Sequence, residues 1–241
     1  MKLAIKIKSL LLFSILFTGS INTQAQNPTE KAKEIALEVM EQMGGVKNWN
    51  NTHFIKWDFG KRTLYWDKWT GDVRVENPEQ NLVVLVNINT LKGKAFKNGE
   101  LVKNTEEIQK LLEQGKKWWI NDSYWLTMPW KLLDPGVQLI HIGTDKLPDG
   151  HTADVLQMTF ENVGVTPENK YLIYVDQEEH LVKQWSYFPK FNDKTPKFTM
   201  AWNNYQNAGN VLLSFDRLNG TFGPKNVVVS KQIEDKIFTA L

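Results

Sequence analysis

The chain has 241 residues, of which 41% are hydrophobic, 12% aromatic and 23% charged, with ten tryptophans and no cysteine. That length affords a sizeable core in one large or two small domains. The missing cysteine excludes a disulfide scaffold, a thiolate metal site, a cysteine nucleophile and the acceptor that lipid anchoring of a bacterial lipoprotein requires.

The formal charge of +2 depends on the first 26 residues. Lys2, Lys6 and Lys8, an apolar run over 10–17 and the small-residue stretch Thr23-Gln24-Ala25 read as a signal peptide cleaved after Ala25 or Gln26. The apolar run is too short to span a membrane. The remaining chain carries 26 basic against 27 acidic residues. It therefore lacks the positive field of a nucleic-acid binder. The expected location is periplasmic or secreted, without a lipid anchor.

No linker, repeat or low-complexity stretch divides residues 27–241, which read as a single domain. Asn27-Pro28-Thr29-Glu30 is a helix start, Ala32, Ile35, Ala36, Val39, Met40 and Met43 recur at helical spacing, and Gly44-Gly45 supplies a left-handed stop. Short strands follow at 54–59, 62–66, 72–75, 81–89, 93–96 and 101–102, joined by tight turns. Residues 104–119 return to helix behind an Asn104 cap, and 120–136 read as an aromatic loop. The second half is again hairpins: 137–142 with 155–160, 171–175 with 181–188, then strands at 198–205, 211–215 and 227–233. About ten or eleven antiparallel strands in meander order curl into a barrel or half-barrel, giving an α+β fold whose helices cover the concave face. Residues 82–86 and 171–175 are apolar on both faces. This calls for cover on both sides, either by a helix and a loop or by a pocket for an apolar ligand.

His53, His141, His151 and His180 show no metal-ligand spacing, and no phosphate loop, nucleophile elbow or dinucleotide fingerprint is present. No cofactor, metal or catalytic residue is therefore expected. Asp58, Asp67, Asp122, Asp134, Asp154 and Asp176 would serve acid-base chemistry only if two converged in a cleft. The aromatic signal is stronger. Trp57, Trp66, Trp69, Trp118, Trp119, Tyr124, Trp125, Trp130, Trp185, Tyr187 and Trp202 suit sugar or base stacking, membrane-interface insertion or the lining of an apolar cavity, as well as plain core filling. The stretch WWINDSYWLTMPWKLLDP over 118–135 mixes four tryptophans with Asn, Asp, Ser and Lys, and reads as a flap over the sheet.

Four segments, MGGVKNW, IKWDFGKRTLYWDKWTGDVRVE, NDSYWLTMPWKLLDPGV and WNNYQNAGNVLLSFDRL, resemble a family of secreted Bacteroidota proteins with a domain of unknown function. In its order of helix, meander, helix-loop and meander, the chain is also similar to the periplasmic lipoprotein-carrier superfamily of LolA and LolB type. That resemblance implies an eleven-stranded half-barrel whose helices close an apolar cavity around acyl chains. The resemblance does not assign the carriers' cavity arginine to any one of Arg62, Arg74 and Arg217, so no binding role passes to a residue. The receptors of that family are anchored through cysteine, which leaves the soluble carrier as the analogue.

The leading expectation is an exported, monomeric, non-catalytic protein that binds an apolar small molecule, lipid or lipoprotein acyl chain. Its candidate ligand-binding residues are Trp57, Trp66, Leu85, Trp118, Trp119, Tyr124, Trp125, Trp130, Tyr174 and Trp185. The alternatives are an envelope hydrolase or sugar-processing enzyme with an aromatic-lined cleft, and a non-catalytic envelope interaction protein with a filled barrel.

Overall fold

The computed structural model describes residues 27–161 and 166–241; the expected signal segment and its cleavage site lie outside the described residues. Helix α1 spans Pro28–Gln42, and the Asn27 side chain accepts a hydrogen bond from the Thr29 amide at 2.9 Å. Gly44, at φ 112°, ends it and also lets a second segment approach: a Cβ there would sit 2.5 Å from the Asn210 carbonyl oxygen. A short helix α2, Val46–Asn51, follows where the sequence suggested only a connection.

Strands β1 (Phe54–Phe59), β2 (Arg62–Asp67), β3 (Asp72–Asn77), β4 (Leu82–Asn87), β5 (Gly93–Lys97) and β6 (Glu100–Leu101) form an antiparallel meander. After helix α3 (Thr105–Thr127) come β7 (Val137–Lys146), β8 (Thr152–Phe160), β9 (Lys170–Asp176), β10 (Val182–Phe188) and β11 (Phe198–Ala201) in a second sheet. Strands β12 (Asn203–Ala208) and β13 (Val211–Asp216) pair with each other, while β14 (Lys225–Ser230) returns to the free edge of β1. Among the described residues there are fourteen strands in sheets of seven, five and two, against the ten or eleven expected in sequential pairing. One of the additional strands comes from 198–205, which divides at Trp202: that residue ends β11, giving its amide to Lys183 O at 2.7 Å, and the chain then pairs elsewhere. The sheets are not closed, and the architecture is an α+β open half-barrel. Register shifts between Lys56 and Asp58, His141 and Thr144, and Val182 and Gln184 add local bends to strands that already twist.

The inner face of the first sheet carries the cross-strand rows Trp57, Leu64, Val75, Val84, Ala95 and Ile55, Trp66, Val73, Val86. α3 crosses β3, β4 and β5 on this face. Gly115 makes the crossing close, since a Cβ there would meet Val84 Cγ1 at 2.7 Å. The outer row Tyr65, Arg74, Leu85, Lys94 is covered by the C-terminal segment: Arg74 donates to the carbonyls of Ile237 (3.2 Å) and Ala240 (2.7 Å), Lys94 donates to Thr239 O, and Phe238 stacks on Phe54. β4 is therefore apolar on both faces because a helix covers one and a chain segment the other. One core cluster runs from α1 through both sheets to Val211 and Leu213.

Candidate functional site

α3 carries the site. Asn104 accepts from the Glu107 amide at 2.9 Å and starts the helix, which then runs to Thr127 and on into a 3-10 turn, Met128–Lys131. The expected flap is thus helical in its first half. Its polar residues are compatible with a helix because each has a partner: Asp122, fully buried, takes both oxygens to Arg62 of β2 (2.7 and 2.8 Å), and Thr127 donates to Ser123 O at 2.8 Å. Lys117, Ile120, Asn121, Tyr124 and Trp125 fall at the i, i+3, i+4, i+7, i+8 spacing of a single helical stripe.

That stripe faces the second sheet across a cavity of about 430 Å3, completed by Phe160 of β8, Thr166, Asn169, Tyr171 of β9, Trp185 and Tyr187 of β10 and Phe198 of β11. Alternation puts Tyr171 inward on β9, as it does Trp185 and Tyr187 two apart on β10. The rings are mutually packed: Tyr171 stacks on Trp185 (5.0 Å between centroids), Trp125 meets Trp185 edge-on (4.8 Å), and Tyr187 lies 5.0 Å from Phe198. Lys117, Asn121 and Thr166 are exposed and form the mouth. Deeper in, buried Asn169 donates to Thr166 Oγ1 (2.6 Å) and Tyr171 Oη (3.4 Å) and accepts from Tyr187 Oη. Burial pushes the Tyr171 phenol up to about 12 and the Tyr124 phenol well above its usual value, so both remain protonated donors at neutral pH.

Behind the cavity, Arg217 is fully buried with its guanidinium 3.4 Å from the Trp202 ring centroid. It donates to Ser214 Oγ, Ser214 O, Asp216 O and, at 2.5 Å, to Trp125 O, tying α3 to the end of β13. Burial lowers its pKa to about 9, which leaves it charged at neutral pH.

The ten candidate residues separate clearly. Tyr124, Trp125 and Trp185 line the cavity. Trp57 is fully enclosed in the core of the first sheet. Trp66 and Trp119 meet edge-on at 5.2 Å, and Trp130 stacks on Trp49 at 5.0 Å, so these rings fill one another's space. Trp118 lies under the Arg62 guanidinium at 5.5 Å. Leu85 sits on the outer face beneath the C-terminal segment, and Tyr174 alternates to the outer face of β9, away from Tyr171. Seven of the ten thus lie off the cavity because a tryptophan count treats all rings alike, whereas facing is decided by strand parity and by what packs opposite. The residues missed were Lys117, Ile120, Asn121, Phe160, Thr166, Asn169, Tyr171, Tyr187 and Phe198. The helical stripe and the period-2 tyrosines were the signals that could have found them.

The six aspartates do not converge. Asp58 accepts from Thr63 and Asn226, Asp67 from the amides of Trp69 and Thr70, and Asp122 from Arg62. Asp134 pairs with Lys131, Asp154 with His141, and Asp176 with His151 and the amides of Glu178 and Glu179. Every histidine has an acidic neighbour that its sequence context did not show; His53 lies 3.2 Å from Asp67, and His180 3.5 Å from Glu38 on α1. Donor atoms of His151, Asp176 and Glu179 come within 4.8 Å of one another, but Glu179 is also held by Lys183 at 2.6 Å.

Fold and cavity together define an open antiparallel half-barrel with a helix spar over its concave side and a partly enclosed aromatic cavity beside the spar. Its structural neighbours are DUF1329 family and LolA superfamily proteins. They include a DUF1329 family protein from Desulfovibrio piger (11% identity, 88% of this chain and 98% of that one, TM-score 0.47). A protein from Vibrio parahaemolyticus described as an outer membrane lipoprotein-sorting domain is also similar (9%, 88% and 97%, 0.43), as is a LolA superfamily protein from Nitrosomonas europaea (12%, 86% and 97%, 0.41). At such values they assign no role to any residue here. No protein-family model and no curated protein matches the chain. Among the described residues no helix is long and apolar enough to cross a membrane.

Proposed function

We propose that this protein is an exported binding protein, periplasmic or secreted, that shelters an apolar or amphiphilic ligand in the cavity between α3 and the second sheet. The observation that carries this reading is the cavity itself: about 430 Å3, walled by seven aromatic residues of the sheet and helix. That volume lies within the roughly 300–1,000 Å3 of small-molecule sites. An apolar cavity of about 150 Å3 takes benzene, so by proportion this one takes roughly 17 non-hydrogen atoms. One acyl chain fits that figure, free or as part of a larger lipid or lipoprotein. Each buried methylene contributes about 0.8 kcal/mol, enough for a single chain to give reversible binding.

A hydrolytic reading needs two carboxylates within about 10 Å of each other at the site. The described lining supplies none, which favours binding over catalysis. The test is native mass spectrometry and lipid extraction on protein purified from a bacterial envelope, with titration by the neutral probe N-phenyl-1-naphthylamine. Co-purified lipid, or probe binding that the cavity-filling change Ile120→Trp abolishes, is the expected result. Neither co-purified lipid nor probe binding would refute the reading.

A further inference from the structure

The described cavity lining is unbalanced in charge, and the imbalance bears on the ligand's head group. Lys117 at the mouth has no hydrogen-bond or ion-pair partner among the described residues, and no carboxylate lines the cavity with it. The buried indole N–H of Trp185 finds no acceptor. Tyr171 accepts from Asn169 but gives its own proton to no described residue, and Tyr124 donates only to the Met158 sulfur at 3.4 Å, a weak acceptor. On the acceptor side, Asn169 Oδ1 is already taken by Tyr187 and Thr166 Oγ1 by Asn169, while Asn121 Oδ1 at the mouth accepts from no described residue. The mouth therefore holds a cation that no anionic group of the described lining offsets.

Position along the helix orders these groups. Lys117 and Trp125 lie eight residues apart on one stripe, about 12 Å along the axis at 1.5 Å per residue. The charged end is exposed, while the Trp125 end is closed by Trp185 and Phe198.

Resting on the cavity-binding reading above, we infer that the site selects a single-chain amphiphile with an anionic head group. The chain lies against Trp125, Trp185, Phe160 and Phe198, and the head group is held at the mouth by the Lys117 ammonium. An anion supplies the countercharge that the described lining lacks. A cationic head would meet Lys117 unfavourably, and a hydroxyl would offer it an acceptor without that countercharge.

The experiment is isothermal titration calorimetry of the mature chain with myristate, 1-tetradecanol and tetradecyltrimethylammonium, each below its aggregation concentration, together with phosphatidylglycerol vesicles. Myristate is expected to bind about tenfold more tightly than the alcohol, the effect of one charge-assisted hydrogen bond, with the ammonium weakest. Lys117→Met, at an exposed position that leaves the fold intact, should abolish the preference, Lys117→Arg should keep it, and Lys110→Met elsewhere on α3 should not change it. Equal binding of myristate and alcohol, or tighter binding of the ammonium, overturns the head-group assignment while leaving the cavity reading intact. Vesicles that bind as tightly as monomeric myristate also overturn it, because the anion would then be read at a membrane surface. Failure of all four to bind overturns the cavity reading as well.

Discussion

The two halves of the half-barrel are built from the same kinds of residue and finish differently. In the first sheet the inner rows meet α3 at the glycine contact, and Trp49, Trp66, Trp119 and Trp130 pack into each other, leaving solid core. In the second sheet the same helix presents Ile120, Tyr124 and Trp125 to Tyr171, Trp185 and Tyr187, and the rings, though packed on one another, leave open volume beside them. The lesson is that aromatic content does not set whether a region is core or site. The separation of the facing backbones does, and here one helix is close to one sheet and held off the other.

The sharpest way to break that comparison is truncation on each side. Trp57→Ala, in the filled half, should cost about 3–5 kcal/mol in urea denaturation, whereas Phe198→Ala beside the cavity should cost under about 1.5 kcal/mol because its ring is only half buried. Similar losses at both sites would mean that the second half is as tightly filled as the first.

Next in size is the link between helix and first sheet. Asp122→Ala leaves the Arg62 guanidinium without its bidentate partner and should destabilise by about 3 kcal/mol, while the double change Arg62→Leu with Asp122→Leu should recover most of it. A double variant as unstable as the single one would show that the pair contributes net stability beyond mutual neutralisation. Smaller again is Arg74→Ala, which removes two bonds from the C-terminal segment and should cost about 1–2 kcal/mol without altering probe binding.

The smallest effect concerns pH and the turn between β9 and β10. The hydrogen bond to Asp176 raises the His151 pKa above 6.5, so its contribution is present below that value and lost as pH rises through the shifted one. Burial alone would raise Asp176, but the amides of Glu179 and Glu178 and the His151 contact outweigh it and hold the carboxyl below 3.8; its contribution fades as pH falls through that lowered value. Amide exchange in 177–180 should therefore show most protection near pH 5, and His151→Asn should flatten the profile.

Much of the fold was legible because its signals are local. The Asn27 cap, the Gly44-Gly45 stop and the short strand runs at 54–59 and 155–160 each lie within a few residues of their effect. The second half of α3 was not legible, because Asn121-Asp122-Ser123 looks too polar for a packed helix until Arg62, sixty positions away, is placed against Asp122. The same holds for the site. Tyr124, Trp125 and Trp185 stood out as rings, but Tyr171 and Asn169 matter through partners on other strands, and Leu85 was drawn inward only because the segment over its outer face could not be foreseen.

Buried, unbonded indole nitrogens recur across the molecule, at Trp57, Trp66, Trp119, Trp130, Trp185 and Trp202. At Trp57, Trp66, Trp119 and Trp130, off the cavity, tryptophan serves as bulk, since replacing it by phenylalanine forfeits no hydrogen bond, whereas Trp202 also presents its ring face to the Arg217 guanidinium. In an alignment of relatives those four positions should drift among large apolar residues, whereas Trp185, which lines the cavity, and Trp202, which faces Arg217, should resist the exchange. The tryptophan excess would then be a historical choice of filler at most positions and a chemical requirement at two.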